Sequence, residues 1–157
     1  MQNKILNKKE IKKIKEALIC QFGYFWEEDY VYLLNENDRL FIINKDLAKI
    51  ELQKVHIDRI GLYVAEVKKE QLRLSKEGSL LLVTEARKKK KKIRNIIDLT
   101  KEEVKSYFQG NDLEKDLGTE SKFMLLQYQK NVLGCAKYKE GKIINFLPKI
   151  HRGEVIL

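Results

Sequence analysis

Phe123-Met-Leu-Leu-Gln-Tyr128, Val132-Leu-Gly-Cys-Ala-Lys-Tyr138 and Lys142-Ile-Ile-Asn-Phe-Leu147 are three short apolar runs, separated only by Gln129-Lys-Asn131 and Lys139-Glu-Gly141. Runs this short, bounded by turn residues, read as strands joined by hairpins. Glu154 to Leu157 reads as a closing strand. A single helix signal precedes the set, too little to cover each strand. The sheet is therefore expected to curl into a small barrel, which removes its edges. Gly134 within a run fits a bulge or tight bend, and Pro148 fits a strand end.

Upstream, Ile93 to Leu99 reads as a strand, and Thr100-Lys-Glu-Glu103 has the form of a capping box. Val104, Tyr107 and Phe108 give the following helix an apolar face, Gly110 ends it, and Asn111 to Thr119 is a polar loop. The first half mixes element types. Asn7-Lys-Lys-Glu10 is another capping box, and Ile11, Ile14, Leu18 and Phe22 form one helical stripe that Gly23 stops. Tyr30–Leu34 and Arg39–Ile43 read as a hairpin, Asp46–Leu52 as a short helix, Ile60–Val67 and Gln71–Ser75 as strands, and Ser79–Ala86 as a strand or a helix, with helix favoured because no turn residue breaks it. The expected architecture is an α+β N-terminal domain (1–86), a basic linker or strand lead-in (87–94), and a small mostly-β pseudo-barrel (95–157).

The formal charge of the chain is +9, and its location matters more than its size. Residues 1–86 and 95–157 each carry a net charge of +1, whereas Arg87-Lys-Lys-Lys-Lys-Lys92-Ile93-Arg94 carries +7. Such a focus attracts polyanions through counterion release. A solvated linker and an anionic membrane surface are the other readings. The run lacks the amphipathic aromatic face and lipidation signal that a membrane anchor would bring. No apolar window of membrane-spanning length occurs. Two distant thiols, Cys20 and Cys135, fit a reducing cytoplasm.

The second half resembles a PUA domain, an RNA-binding module. The likeness rests on the strand and short helix, Gly110-Asn-Asp-Leu113, Leu117-Gly118, Phe-Met-Leu-Leu-Gln127 and Val132-Leu-Gly-Cys-Ala136. Length and the order of the halves, with Gly61-Leu-Tyr-Val-Ala65 and Leu72-Arg-Leu74, are similar to a ribosome-biogenesis factor family in which a pre-PUA domain precedes a PUA domain. Val132-Leu-Gly134, Gly141-Lys-Ile-Ile-Asn145 and Leu147-Pro-Lys149 with Arg152 are similar to the C-terminal PUA-like domain of RNA 5-methylcytosine methyltransferases. The resemblance implies RNA contact by the glycine-bounded loop, hence Gly110, Asn111 and Lys115.

The inventory of reactive groups points away from catalysis. His56 and His151 are the only histidines. A Cys135–His151 pair requires the strands to juxtapose them. Neither a metal-ligand spacing nor a glycine-rich nucleotide loop occurs. The expectation is a cytoplasmic RNA-binding protein without an enzyme activity, cofactor or metal. Its ligand is rRNA or tRNA, and ribosomal or RNA-modification proteins are candidate partners. An adaptor, or a targeting subunit beside a separate RNA-modifying enzyme, is the alternative. The candidate RNA contacts are Arg87, Lys88, Lys89, Lys90, Lys91, Lys92 and Arg94 in the run. Lys137, Lys139, Lys142, Lys149 and Arg152 are expected to continue it as one stripe. Tyr128 and Tyr138 are candidates for stacking bases or for core packing.

Overall fold

The computed structural model describes residues 3–45, 61–147 and 149–153. Local signals set the helices. The Asn7 side chain accepts from the Glu10 amide, and the Glu10 carboxylate accepts from the Asn7 amide, both at 2.9 Å. Helix α1 (Lys8–Phe22) therefore starts at the expected capping box, and Gly23 ends it in the left-handed conformation. Ser75 caps α2 (Lys76–Lys88), and Thr100 with Glu103 closes the second capping box on α3 (Lys101–Phe108).

Strands β1 (Asn3–Ile5), β2 (Tyr30–Asn35), β3 (Arg39–Asn44), β4 (Leu62–Lys68) and β5 (Gln71–Leu74) form an antiparallel sheet in sequence order. Strands β6 (Ile96–Asp98), β7 (Leu113–Glu114), β8 (Lys122–Tyr128), β9 (Asn131–Lys139) and β10 (Lys142–Ile144) form a second sheet, ordered β6-β8-β9-β10-β7. In it β6 runs parallel to β8 and the other pairs are antiparallel. This mixed sheet is a curled half-barrel with α3 against its inner face. Among the described residues no pairing joins β6 to β7, so the expected removal of edges is incomplete.

The two apolar clusters share β8. Phe123 and Leu125, with Cys135 of β9, pack into the apolar cluster that holds Phe22, Trp26, Leu72, Leu82 and Ala86. Met124 and Leu126 face the other way, toward Leu99, Val104, Tyr107 and Tyr138. Burial on both faces explains why Phe-Met-Leu-Leu is continuously apolar rather than alternating. In β9, Leu126 pairs with Gly134 and Gln127 with Val132, which leaves Leu133 as an extra residue. Gly134, at φ +148°, forms this bulge. The insertion reverses the side-chain alternation, so Val132 packs with the first cluster and Leu133 with the second.

Several expectations need correction. The segment read as a linker is partly helix, because Arg87 and Lys88 form the last turn of α2. The next lysines finish it: the Lys91 amide donates to the Ala86 carbonyl at 2.8 Å and the Lys90 amide to that of Arg87 at 3.1 Å. With Lys90 at φ +54°, this is a Schellman motif whose left-handed residue is lysine rather than glycine. Cations at a helix C-terminus also suit its dipole. The polar loop 111–119 contains β7, the last apolar run stays in the sheet only to Ile144, and β1 had no sequence signal. The helix expected at 46–52, the start of the strand at 60, His56, Pro148 and the strand at 154–157 lie outside the described residues.

Because Leu125 and Trp26 belong to one cluster, Leu125→Ala is expected to lower stability by about 2–5 kcal/mol. The shift should appear in denaturant unfolding followed by fluorescence of Trp26, the single tryptophan. An unmoved Trp26 transition would mean that the halves unfold independently.

Candidate nucleic-acid interface

The cations of the basic run divide by chemistry. The Arg87 guanidinium reaches the β8–β9 turn, donating to the Lys130 carbonyl at 2.7 Å and to Gln127 Oε1 at 2.8 Å. That turn has two consecutive positive-φ residues, Gln129 (+47°) and Lys130 (+67°), the geometry of a type I′ hairpin. Arg94 turns back onto α1, donating to the carbonyls of Ile19 at 2.7 Å and Cys20 at 3.1 Å. Its neighbour Asn95 donates to the Gln21 carbonyl at 2.6 Å. Together they satisfy carbonyls that the end of a helix leaves open. Arg87 and Arg94 therefore act as internal braces.

The lysines do the opposite. Lys88 lies 3.6 Å from Glu85 and Lys89 3.7 Å from Glu27, both as exposed ion pairs of the weakly held kind. Lys90, Lys91 and Lys92 are exposed, with no carboxylate paired to them among the described residues. Lys130, held beside them by Arg87, adds a further exposed cation. It was absent from the sequence-based candidates because only the fold brings the hairpin tip to the end of α2.

The rest of the expected stripe is elsewhere. Lys137, Lys139 and Lys142 lie toward the opposite end of the β9 ladder. The nine residues of β9 separate that end from the β8–β9 turn by roughly 26 Å. Lys142 sits in register with Glu114. Lys149 lies in an exposed 3-10 turn, Lys149–His151. Arg152 lies over Gly110, where an added Cβ would come 2.7 Å from its Cδ, and donates to the Leu147 carbonyl at 3.0 Å. Gly110 and Arg152 are thus brought together, far along the chain but adjacent in space.

Neighbouring segments engage several polar groups of the glycine loop. The Asn111 carbonyl accepts from Asn145 at 2.9 Å, and the Asp112 carboxylate accepts from the Asn145 amide at 2.8 Å. Lys115 sits 3.2 Å from both carboxylate oxygens of Glu103. Tyr138 is buried. Its hydroxyl donates to the Gly118 carbonyl at 2.7 Å and accepts from the Leu117 amide at 2.9 Å, so it packs the loop rather than presenting a stacking face. Tyr128 remains half-buried.

Cys135 and His151 line the same cavity of about 470 Å³. Burial pushes the Cys135 thiol up to about 12, so it stays protonated at neutral pH and is no thiolate. Among the described residues no three metal-ligating side chains cluster. No described helix is long and apolar enough to cross a membrane.

With this geometry in view, a family model described as "Methyltransferase RsmF PUA domain" matches residues 94–152. The ribosomal RNA small subunit methyltransferase F of Aeromonas salmonicida is 26% identical over 119 residues, covering 74% of this chain and 23% of that protein. Its namesake from Shewanella amazonensis is 25% identical over 144 residues, covering 91% of this chain and 28% of that protein. The chain thus spans about a quarter of the length of these curated relatives. A hypothetical protein of the archaeon Pyrococcus horikoshii shares the fold, with a TM-score of 0.56 and 17% identity over 98% of this chain and 90% of that one.

The matched region is a PUA-like domain related to those of RNA methyltransferases. Of the two resemblances read in the sequence, these matches support the methyltransferase one. They also carry it well beyond the last third of the chain, into the first sheet.

The Glu103–Lys115 pair has a pH signature. Burial opposes ionisation of Glu103, but hydrogen bonds from the Thr100 amide and Lys115 outweigh it and hold the carboxyl below its ordinary 4.5. Its contribution to stability is complete above about pH 4.5 and is lost as pH falls through the lowered folded value. Glu103→Gln is expected to cost up to about 1 kcal/mol at neutral pH and nothing once the wild-type carboxyl is protonated. Thermal melts across the acid limb check this.

Proposed function

We propose that this chain is an RNA-binding unit that performs no covalent chemistry itself and holds ribosomal RNA during its maturation or modification in the cytoplasm. The observation that carries the reading is the exposed lysine cluster, Lys88 to Lys92 with Lys130, on the braced end of α2. A helix end tied to a hairpin tip presents these ammonium groups from a fixed base, suited to the phosphates of a folded RNA. The PUA-like domain supports RNA as the ligand. The relatives named as ribosomal RNA small subunit methyltransferases support ribosomal RNA as its class.

Phosphate contact dominates this reading, and base-edge readout is secondary. Lys137, Lys139, Lys142 and Lys149 then belong to a separate basic area, used only by an RNA long enough to reach both ends of β9. Likeness to methyltransferases also favours a second reading, a targeting subunit that delivers RNA to a separate methylating enzyme. Stable co-purification of such an enzyme with the tagged chain would support it.

Replacing Lys88 to Lys92 with Ser is expected to weaken binding to an rRNA fragment strongly. It should also lower the slope of log affinity against log salt by about 0.7–0.9 for each phosphate that is no longer neutralised. Lys115→Ser should leave that slope where it was. A salt titration of both variants decides; an unchanged slope in the five-lysine variant would sink the role given to the helix end.

A further inference from the structure

A second cationic feature lies away from the helix end. Strands β4 and β5 face the second sheet across an open groove of about 840 Å³. One wall carries Lys68, Lys69 and Arg73, and the other carries Lys137. Phe146 also lines the groove, with its ring 38% exposed. The Arg73 guanidinium lies 4.9 Å from the centre of the Phe146 ring, and the Lys137 ammonium lies 5.0 Å from that of Phe123. Glu66 steadies the near wall, holding Arg73 at 2.5 Å and pairing with Lys68. Asp38 and Glu70 also line the groove, so its cations outnumber its carboxylates without being uniform.

Size and chemistry narrow the ligand. The volume falls within the roughly 300–1,000 Å³ of small-molecule sites. An exposed phenyl ring flanked by a guanidinium suits a flat π-face, and the surrounding ammonium groups suit a phosphate. An unpaired nucleotide supplies both. A base inside a duplex has its faces covered by its neighbours, and an acidic peptide would leave the ring without a partner.

We propose that the groove between the two sheets holds one unpaired nucleotide of the RNA, its base against Phe146 and Arg73 and its phosphate between Lys69 and Lys137. This inference rests on the RNA-binding reading above and adds to it a preference for a bulged or looped nucleotide. The two cationic areas then divide the work. The helix end supplies sequence-independent attraction, and the groove selects an unpaired position.

The test compares two hairpins with the same stem, one fully paired and one with a single 2-aminopurine bulge, each titrated with the full chain. The bulged hairpin is expected to bind roughly tenfold tighter, within the range of one base–aromatic stack, with quenching of the 2-aminopurine fluorescence. Phe146→Leu and Lys137→Ser, made separately, should each reduce that preference at least severalfold while the salt slope for the paired stem is kept. The two residues lie on different segments, so a folding defect in one variant leaves the other informative. Equal binding of both hairpins by the wild type, or an intact preference in both folded variants, would overturn the groove while leaving the helix end standing. Binding of neither hairpin would overturn both.

Discussion

The structure depends on the burial of β8 on both faces. Phe123 and Leu125 belong to the cluster under the first sheet, and Met124 and Leu126 to the cluster under α3. A strand claimed by two cores cannot shift register by one residue without exchanging its partners. The β8–β9 turn is therefore fixed relative to the first sheet, and so is the end of α2, whose Ala86 lies in the same cluster as Leu125. The position of the lysine cluster follows from this packing. The bulge at Gly134 lets β9 serve the same arrangement, because its extra residue directs Val132 to one cluster and Leu133 to the other.

Arginine and lysine have separate tasks here. Arg87, Arg94 and Arg152 each donate to main-chain carbonyls, of Lys130, of Ile19 and Cys20, and of Leu147. A planar fork with fixed donors suits this bracing. The lysines of the run have mobile stems and compact charges, and they face solvent. A net charge summed along the run hides the division. Arg87 and Arg94 give guanidinium donors to main-chain carbonyls, whereas the ammonium groups of Lys88 to Lys92 and Lys130 face solvent. The glycine loop shows the reverse balance: Lys115 is paired with Glu103, while Glu114 and Asp116 remain exposed.

Much of the local structure was legible in the sequence because its causes are local. Asn7 with Glu10, and Thr100 with Glu103, announce helix starts within four residues, and the β2–β3 and β8–β9 hairpins are set by short turns. Gly134 was readable as a bulge because glycine inside a strand has few other uses. The parts that were not legible depend on distant partners. Strand β1 forms only because Asn3 to Ile5 meet Leu33 to Asn35. Arg94 reads as one more charge in a basic run until α1 places carbonyls before it. The two ends of the expected stripe lie apart because charge order along a chain does not reveal that the length of β9 comes between them. Arg73, Phe146 and Lys137 drew no joint attention because they come from three segments.

In the proposed mode of binding, RNA is held first by the lysine-bearing end of α2 and the neighbouring hairpin tip, rather than by the glycine loop. Ultraviolet crosslinking of the full chain to an rRNA fragment, followed by mass spectrometry of the crosslinked peptides, distinguishes the two. Adducts are expected to concentrate on peptides containing Lys88 to Lys92 and Lys130. Adducts confined to the segment from Gly110 to Gly118 would contradict the proposed mode.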